Sequence, residues 1–153
     1  MRIVFDTNVL LSLFVFADSR FVPLRAEVEA GRWQALTSAA CLAEFRRVLG
    51  YPLFGLGAER QEAAHAAYLA LVRIIDATPS ANAIPLPKCQ DKDDQKFLEL
   101  ARDGGADWLV TSDKLLLKLR RGRRLDPLFR ILTPDEALAK VGAGGTAAEE
   151  QSG

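Results

Sequence analysis

Four acidic residues lie at the ends of predicted strands and helices or beside an apolar stripe, where a carboxylate can take part in binding or catalysis. Asp6 ends the apolar run IVF and Asp113 follows WLVTS, so both come after predicted buried strands. Because ligands bind outside the carboxyl ends of the strands in an open parallel sheet, these two acids are expected at the binding edge. Glu44 lies beside the apolar stripe of CLAEFRRVL, and Asp94 ends the cluster DKDD at a predicted helix start. We therefore predict that the four carboxylates meet at one cleft.

Carboxylates that share a cleft favour a hard divalent cation. Crowded acids repel one another, and burial raises their pKa values unless a positive charge keeps them ionised. Mg²⁺ binds oxygen ligands at about 2.0 to 2.1 Å, commonly from one or two carboxylates and a substrate phosphate. The chain has only two cysteines and one histidine, too few soft ligands for a zinc site, which favours Mg²⁺ or Mn²⁺. Two such ions about 3.5 to 4 Å apart can activate water and stabilise the leaving oxygen of a phosphodiester.

Each acid taken alone also has a purely structural explanation. Glu44 can be a solvated helical residue, Asp113 can be a helix cap, and Asp94 can simply favour the positive end of a helix dipole. Asp6 is the hardest to explain in this way, because an acid that ends a buried strand must be desolvated, hydrogen-bonded or bound to a cation. Taken together, the four acids favour a metal site.

Strands and helices alternate along the chain and predict an α/β fold, with three α/β/α layers and a mainly parallel central sheet. The predicted strands are residues 3–5, 33–36, around 74–77, 107–110 and 128–132. The predicted helices are residues 22–28, 39–49, 57–74, 91–103, a segment after 113, and 134–141. Residues 1–141 are expected to form one domain. Residues 142–153, GAGGTAAEEQSG, contain almost nothing that can be buried and are expected to be a disordered tail.

Length and charge narrow the function classes. A chain of 153 residues suits one domain with its own core. Lys plus Arg and Asp plus Glu each total 20, so the chain lacks the basic excess of strong non-specific nucleic-acid binders. Asp6 interrupts the apolar start, and no apolar run reaches the roughly 18 residues of a membrane span. We expect a cytoplasmic protein with no membrane segment.

A basic segment, KLLLKLRRGRR, follows Asp113 directly. Its cations can neutralise RNA phosphates beside the acids, which would make binding sensitive to salt. Its leucines can equally form the buried stripe of an amphipathic helix whose outer face is merely basic, and both interpretations stay open. The candidate RNA-binding residues are Lys114, Lys118, Arg120 and Arg121, followed by Arg123 and Arg124.

The order of these segments resembles the PIN-domain family, and within it the toxin-like PIN proteins of bacterial toxin–antitoxin systems. The similar segments are MRIVFDTNVLLS, CLAEFRRVL and CQDKDDQKFLELARDGGADWLVTSDKLLL, and the resemblance spans residues 1–133. DKDDQKFLELA followed by GADWLVTSD is its most specific part. Two positions depart from the usual pattern, since Ser112 stands where close relatives often have Gly and Lys92 where many have Pro.

The resemblance implies a Mg²⁺- or Mn²⁺-dependent endoribonuclease with an RNA substrate. It also implies a small antitoxin protein as partner and a homodimer or higher homo-oligomer. Asn8 resembles the polar residue beside the first acid and Thr111 the hydroxyl before the last, while the role of Asp91 is left open. The residues that resemble the family's metal-binding and catalytic acids are Asp6, Glu44, Asp94 and Asp113.

Three other functions stay open. A PIN fold can bind RNA or protein without cleaving it. A strand-end Asp is also the nucleophile of haloacid-dehalogenase-like phosphatases, but those need a second Asp two residues on, where this chain has Asn8. A receiver-like domain would need an acidic pair near the first strand and a late Lys. A cleavage test separates the nuclease from the binding module.

Overall fold

Five parallel strands form the central sheet in the described part of the chain. The computed structural model describes residues 1–76, 84–122, 125 and 128–141. The strands are β1 (Arg2–Phe5), β2 (Gln34–Thr37), β3 (Arg73–Ile74), β4 (Trp108–Val110) and β5 (Arg130–Leu132). Their order across the sheet is β3-β2-β1-β4-β5, and every neighbouring pair is parallel. The predicted parallel sheet is confirmed, with β1 at its centre.

Helices connect the strands and cover both faces of the sheet. They are α1 (Thr7–Phe14), α2 (Val22–Glu29), α3 (Ala39–Leu49), α4 (Ala58–Leu69), α5 (Gln95–Asp103), α6 (Lys114–Lys118) and α7 (residues 134–141). Single 3₁₀ turns precede or follow some of them, at Ser19–Phe21, Pro52–Phe54, Lys92–Asp94 and Leu119–Gly122.

Alternation along β1 divides the core into two parts, because successive side chains of a strand point to opposite faces. Ile3 and Phe5 pack in a cluster that contains buried residues of α1, α2, α3, α4 and α7. Val4 packs in a second cluster, built mainly from α5, α6 and residues near β5. Sheet and helices therefore form three layers, as predicted.

Local sequence signals set several boundaries as expected. The Ser38 hydroxyl accepts a hydrogen bond from the Cys41 N–H at 3.3 Å and caps α3. Thr133 and Glu136 form a reciprocal capping box at the start of α7, with bonds of 2.8 and 3.0 Å. A helix can begin only where its free N–H groups find acceptors, so these polar residues fix the helix starts.

The segment after α3 differs from its prediction. The helix predicted for residues 57–74 ends at Leu69, because the N–H groups of Leu71 and Val72 both bond back to the Tyr68 carbonyl oxygen. The chain then forms β3, whose Arg73 pairs with Leu36 of β2. The strand predicted around 74–77 was placed too late, and its last residue lies outside the described residues. Strand pairing overrides the helical pattern here, and local sequence cannot reveal that.

Helix α1 was not predicted. The segment TNVLLSLF is almost continuously apolar, and Val9, Leu10, Leu11 and Leu13 are all buried. A helix covered on several sides shows no polar face, so the period of 3.6 residues is lost from its sequence. This helix starts directly after β1 and therefore determines what Asp6 can do.

The predicted tail, residues 142–153, lies outside the described residues. Among the helices that the structure describes, none combines the length and the apolar character that a membrane crossing requires. Trp33 and Trp108 lie in the core, with their rings 5.3 Å apart in an edge-to-face arrangement.

Candidate metal centre

The carboxyl edge of the sheet brings together the β1–α1 junction, the β4–α6 junction and the turn before α5. β1 and β4 are paired, with Phe5 opposite Val110. The next residues, Asp6 and Thr111, therefore meet at the end of the two strands. The Asp6 N–H continues the ladder and donates to the Val110 carbonyl oxygen at 3.0 Å.

Asp6 is buried, with 4% of its surface exposed, and it caps α1. Its Oδ1 accepts a hydrogen bond from the Val9 N–H at 2.9 Å, and its Oδ2 accepts one from the Thr111 hydroxyl. Burial raises the pKa of Asp6 to about 6, although both hydrogen bonds act to lower it. Helix α1 thus supplies a reason for an acid at this strand end that the sequence did not reveal.

Thr111 connects two of the acids. Its side chain is fully buried, and its hydroxyl donates to Asp6 while accepting from the Asp113 N–H at 2.9 Å. Asp113 caps α6 through a 2.8 Å bond from the Leu115 N–H to its Oδ1. The threonine therefore fixes the β4–α6 turn relative to Asp6.

Three carboxylates converge beside this turn. Asp91, Asp94 and Asp113 each offer an oxygen, and these three oxygens lie within 4.8 Å of one another. Asp91 caps the 3₁₀ turn Lys92–Asp94, with its Oδ1 accepting from the Asp93 N–H at 2.9 Å. The turn thereby presents Asp94 toward the β4–α6 junction.

Asp94 is the member of this three-acid group whose surroundings most clearly disfavour a negative charge. Its Oδ2 is the one buried side-chain nitrogen or oxygen without a hydrogen-bond partner among the described residues. Burial, and after it the neighbouring carboxyl groups of Asp113, Asp91 and Asp6, together raise the pKa of Asp94 to about 7. A buried acceptor without a donor, facing other acids, needs either a proton or a cation.

Glu44 lies apart from the three-acid group, and its carboxylate is already paired. Lys96 Nζ donates to its Oε1 at 2.7 Å, and the Thr7 hydroxyl donates to its Oε2. Arg47 Nη2 lies 3.9 Å from the same Oε1. The structure therefore brings Asp6, Asp94 and Asp113 to one edge with Asp91, and it holds Glu44 in a separate network beside them.

The three-acid group suits a hard divalent cation. All its donors are carboxylate oxygens, which Mg²⁺ and Mn²⁺ prefer. In addition, Asp94 Oδ2 is buried without a hydrogen-bond partner. A cation would also remove the repulsion that raises the pKa of Asp94. The residues present therefore fit such an ion.

The remaining candidates lie on the surface of the protein. Asn8 is exposed. Among the basic candidates, Arg120 donates to Glu136 at 2.6 Å. In the same segment Leu116 is fully buried, so a buried stripe and a basic outer face coexist. The exposed basic residues are Lys114, Lys118, Arg120 and Arg121, whereas Arg123 and Arg124 lie outside the described residues.

A family model for the PIN domain matches residues 2–115, which is well over half of the chain. The chain belongs to the PIN-domain family. The matched stretch contains all the acids of the candidate site and ends in α6, just after Asp113. Neither the curated proteins nor the solved structures gave a match.

Members of the PIN-domain family are generally nucleases that use divalent metal ions. In this PIN domain the acidic group of Asp91, Asp94 and Asp113 could hold such an ion. Family membership implies a nucleic-acid substrate. The local geometry adds an acidic group that could bind the metal ion.

Sequence reasoning did not identify Thr7 and Lys96. Thr7 follows the first acid and Lys96 follows Asp94 by two residues, so their positions beside acids were visible. Their common partner, Glu44, is 37 residues from Thr7 and 52 from Lys96. Only the tertiary structure could show that the three side chains meet.

Proposed function

We propose that this PIN domain is a metal-dependent endoribonuclease and the toxin of a toxin–antitoxin pair. It would hydrolyse RNA phosphodiester bonds with Mg²⁺ or Mn²⁺ in the cytoplasm. The observation that carries the proposal is the three-acid group, in which each acid offers an oxygen within 4.8 Å of the other two and Asp94 Oδ2 is buried without a hydrogen-bond partner.

Each residue of the site has a distinct task. Asp91, Asp94 and Asp113 would hold the ion. Thr111 keeps Asp113 in place by accepting its N–H and orients Asp6 through its hydroxyl. When bound, the ion supplies electrostatic stabilisation of the charge that develops on the phosphate.

Asp6 is poorly suited to the competing functions. A phosphatase or receiver-like domain would use it as nucleophile or phosphoacceptor. Its side chain is buried, and both of its oxygens accept hydrogen bonds. The geometry therefore favours a supporting role for Asp6 and metal-dependent hydrolysis for the site.

The test is cleavage of end-labelled single-stranded RNAs of mixed sequence in Mg²⁺, Mn²⁺ or EDTA. Wild type should cut only with metal, and Asp6→Asn and Asp94→Asn should lose most of that activity. Glu99→Gln is the matched control, because Glu99 is an exposed acid on α5 outside the three-acid group. Equal cutting by wild type and both variants would identify a contaminating nuclease.

Binding without cleavage is the alternative outcome. If wild type binds Mn²⁺ and RNA but cuts nothing in either metal, the chain is a non-cleaving PIN-fold binding module. If calorimetry also shows no metal binding, the nuclease mechanism fails altogether.

The toxin role needs its own experiment. Induced expression should arrest growth, the Asp94→Asn variant should not, and co-expression of a short open reading frame beside this gene should relieve the arrest. Sedimentation of the purified chain tests the proposed homodimer. Growth arrest that persists in the Asp94→Asn variant would contradict a toxin that acts by cleavage.

A further inference from the structure

The Glu44 carboxylate is held on both oxygens by residues of two other elements. Thr7, at the start of α1, donates its hydroxyl to Oε2. Lys96, in the first turn of α5, donates its ammonium to Oε1 at 2.7 Å. Since Thr7 follows Asp6 and Lys96 lies two residues after Asp94, this network joins the segments that carry two of the predicted site acids.

Lys96 is positioned by its surroundings as well as by Glu44. Its Nζ also donates to the Asp93 carbonyl oxygen, and it lies 5.2 Å from the centroid of the Phe97 ring. The side chains of Lys96 and Glu44 are only 22% and 13% exposed. Because charges attract more strongly where water is partly excluded, this close pair largely neutralises the charge of Glu44.

Asp94 and Glu44 therefore differ in whether their carboxylate oxygens already have hydrogen-bond donors. Asp94 has a buried oxygen without a donor, whereas both oxygens of Glu44 have one. A second divalent ion at Glu44 would have to displace the Lys96 ammonium and meet its positive charge at close range. Arg47, 3.9 Å from the same oxygen, adds to that repulsion.

We infer that Lys96 is a positioning residue that takes the place of a second cation at Glu44, so that this centre binds one divalent ion. Glu44 acts by joining Thr7 and Lys96 and not as a ligand. The inference rests on the proposed function for the ion at the three-acid group and specifies how many ions that function uses.

The experiment is Mn²⁺ binding to the full chain without RNA, followed by calorimetry and by electron paramagnetic resonance. Wild type should bind one Mn²⁺ per chain. Lys96→Met removes the cation that is hydrogen-bonded to Glu44 Oε1 and leaves only the more distant Arg47. This variant should bind two ions, with the spectral broadening of neighbouring Mn²⁺ ions. Lys96→Arg retains a cation and should return to one.

The double variant and a matched lysine complete the design. Lys96→Met combined with Glu44→Gln removes both charges and should bind one ion. Lys140→Met is the control, since Lys140 is also half-buried beside an aromatic ring, 6.0 Å from the Trp108 centroid, on a helix without site acids. It should bind one ion.

Glu44→Gln alone decides the matter if Lys96→Met does not fold. The inference expects one ion and a dissociation constant changed by less than about threefold. Loss of the ion in Glu44→Gln would make Glu44 a ligand and overturn the inference. Two ions in wild type, or one in folded Lys96→Met, would also overturn it while leaving the metal centre intact. No ion in wild type would overturn the metal centre and this inference together.

Discussion

Two acidic regions at the same edge of the sheet solve the same electrostatic problem in opposite ways. The three-acid group of Asp91, Asp94 and Asp113 gathers carboxylates without a paired cation. Burial and the neighbouring acids together raise the pKa of Asp94 to about 7. The Glu44 carboxylate, beside it, is paired with Lys96 at 2.7 Å. One region is prepared for an external cation, and the other already contains its own.

The difference separates acids that can bind a metal ion from an acid that holds neighbouring residues in position. A carboxylate with a fixed internal partner is stable without any ligand, so it contributes to geometry. A partly buried carboxylate that faces other carboxylates destabilises the ion-free protein and gains most when an ion binds. Variants and pH changes that act on one region and not on the other test that separation.

Asp94→Asn should have the largest effect on function. It removes a charge from the region that lacks a cation. Loss of a residue that only orients a metal ligand costs up to about 100-fold in activity, so loss of a ligand should reduce RNA cleavage by more than that. Calorimetry should show Mn²⁺ affinity falling by at least about tenfold. Glu99→Gln should keep both near wild type. Full cleavage by Asp94→Asn would remove the three-acid group from the mechanism.

Stability without metal should fall as the pH rises. The pKa values of Asp6 and Asp94 in the folded protein are raised to about 6 and about 7, so the folded protein binds more protons than the unfolded chain between about pH 4 and 7. For Asp6 alone, the free energy of unfolding should fall by on the order of 3 kcal/mol once the pH exceeds the pKa of this group in the folded protein, about 6.

Urea unfolding in EDTA at pH 5 and pH 8 measures this loss, and Mn²⁺ at pH 8 should restore stability. The stability of Asp94→Asn should depend less steeply on pH, because one of the two carboxyl groups with a raised pKa is absent. An ion-free protein that becomes more stable between pH 5 and pH 8 would contradict the unpaired state of this region.

Thr111→Val should have an intermediate effect. It removes the hydroxyl between Asp6 and Asp113 while keeping a similar shape, so Mn²⁺ affinity should fall about tenfold, as for other residues that orient ligands. Thr37→Val is the matched control, because Thr37 is equally buried at the end of the neighbouring strand β2. Equal losses of affinity in both variants would point to general destabilisation and not to orientation of the acids.

Lys118→Ala should have the smallest effect. Lys118 is exposed on α6, and a contact to one RNA phosphate would weaken binding a few-fold and reduce the salt slope by about one. Arg120→Ala should change binding less, because Arg120 is paired with Glu136 at 2.6 Å. Filter binding across salt concentrations measures both, and unchanged slopes would favour a basic face without a role in RNA binding.

Much of the fold follows from local sequence. The apolar strand runs and the alternation of strands and helices predict the parallel three-layer architecture. The cap residues Ser38 and Thr133 mark where α3 and α7 begin. The missed helix α1 and the early end of α4 have the same cause. Helix α1 is buried on several sides, and the residues after α4 pair with β2. Both effects depend on distant parts of the chain, so the hydrophobic period of the local sequence is misleading.

For the candidate site, the sequence determined which side chains stand at element ends, and its order indicated the PIN-domain family. It could not determine how their charges are shared. Asp6 and Thr111 are 105 residues apart, and Glu44 and Lys96 are 52 apart. The pairing of β1 with β4 brings the first two together, and the packing of α3 near α5 brings the second two together. A carboxylate's role depends on which cation or donor lies within about 3 Å, and only the tertiary structure decides that distance.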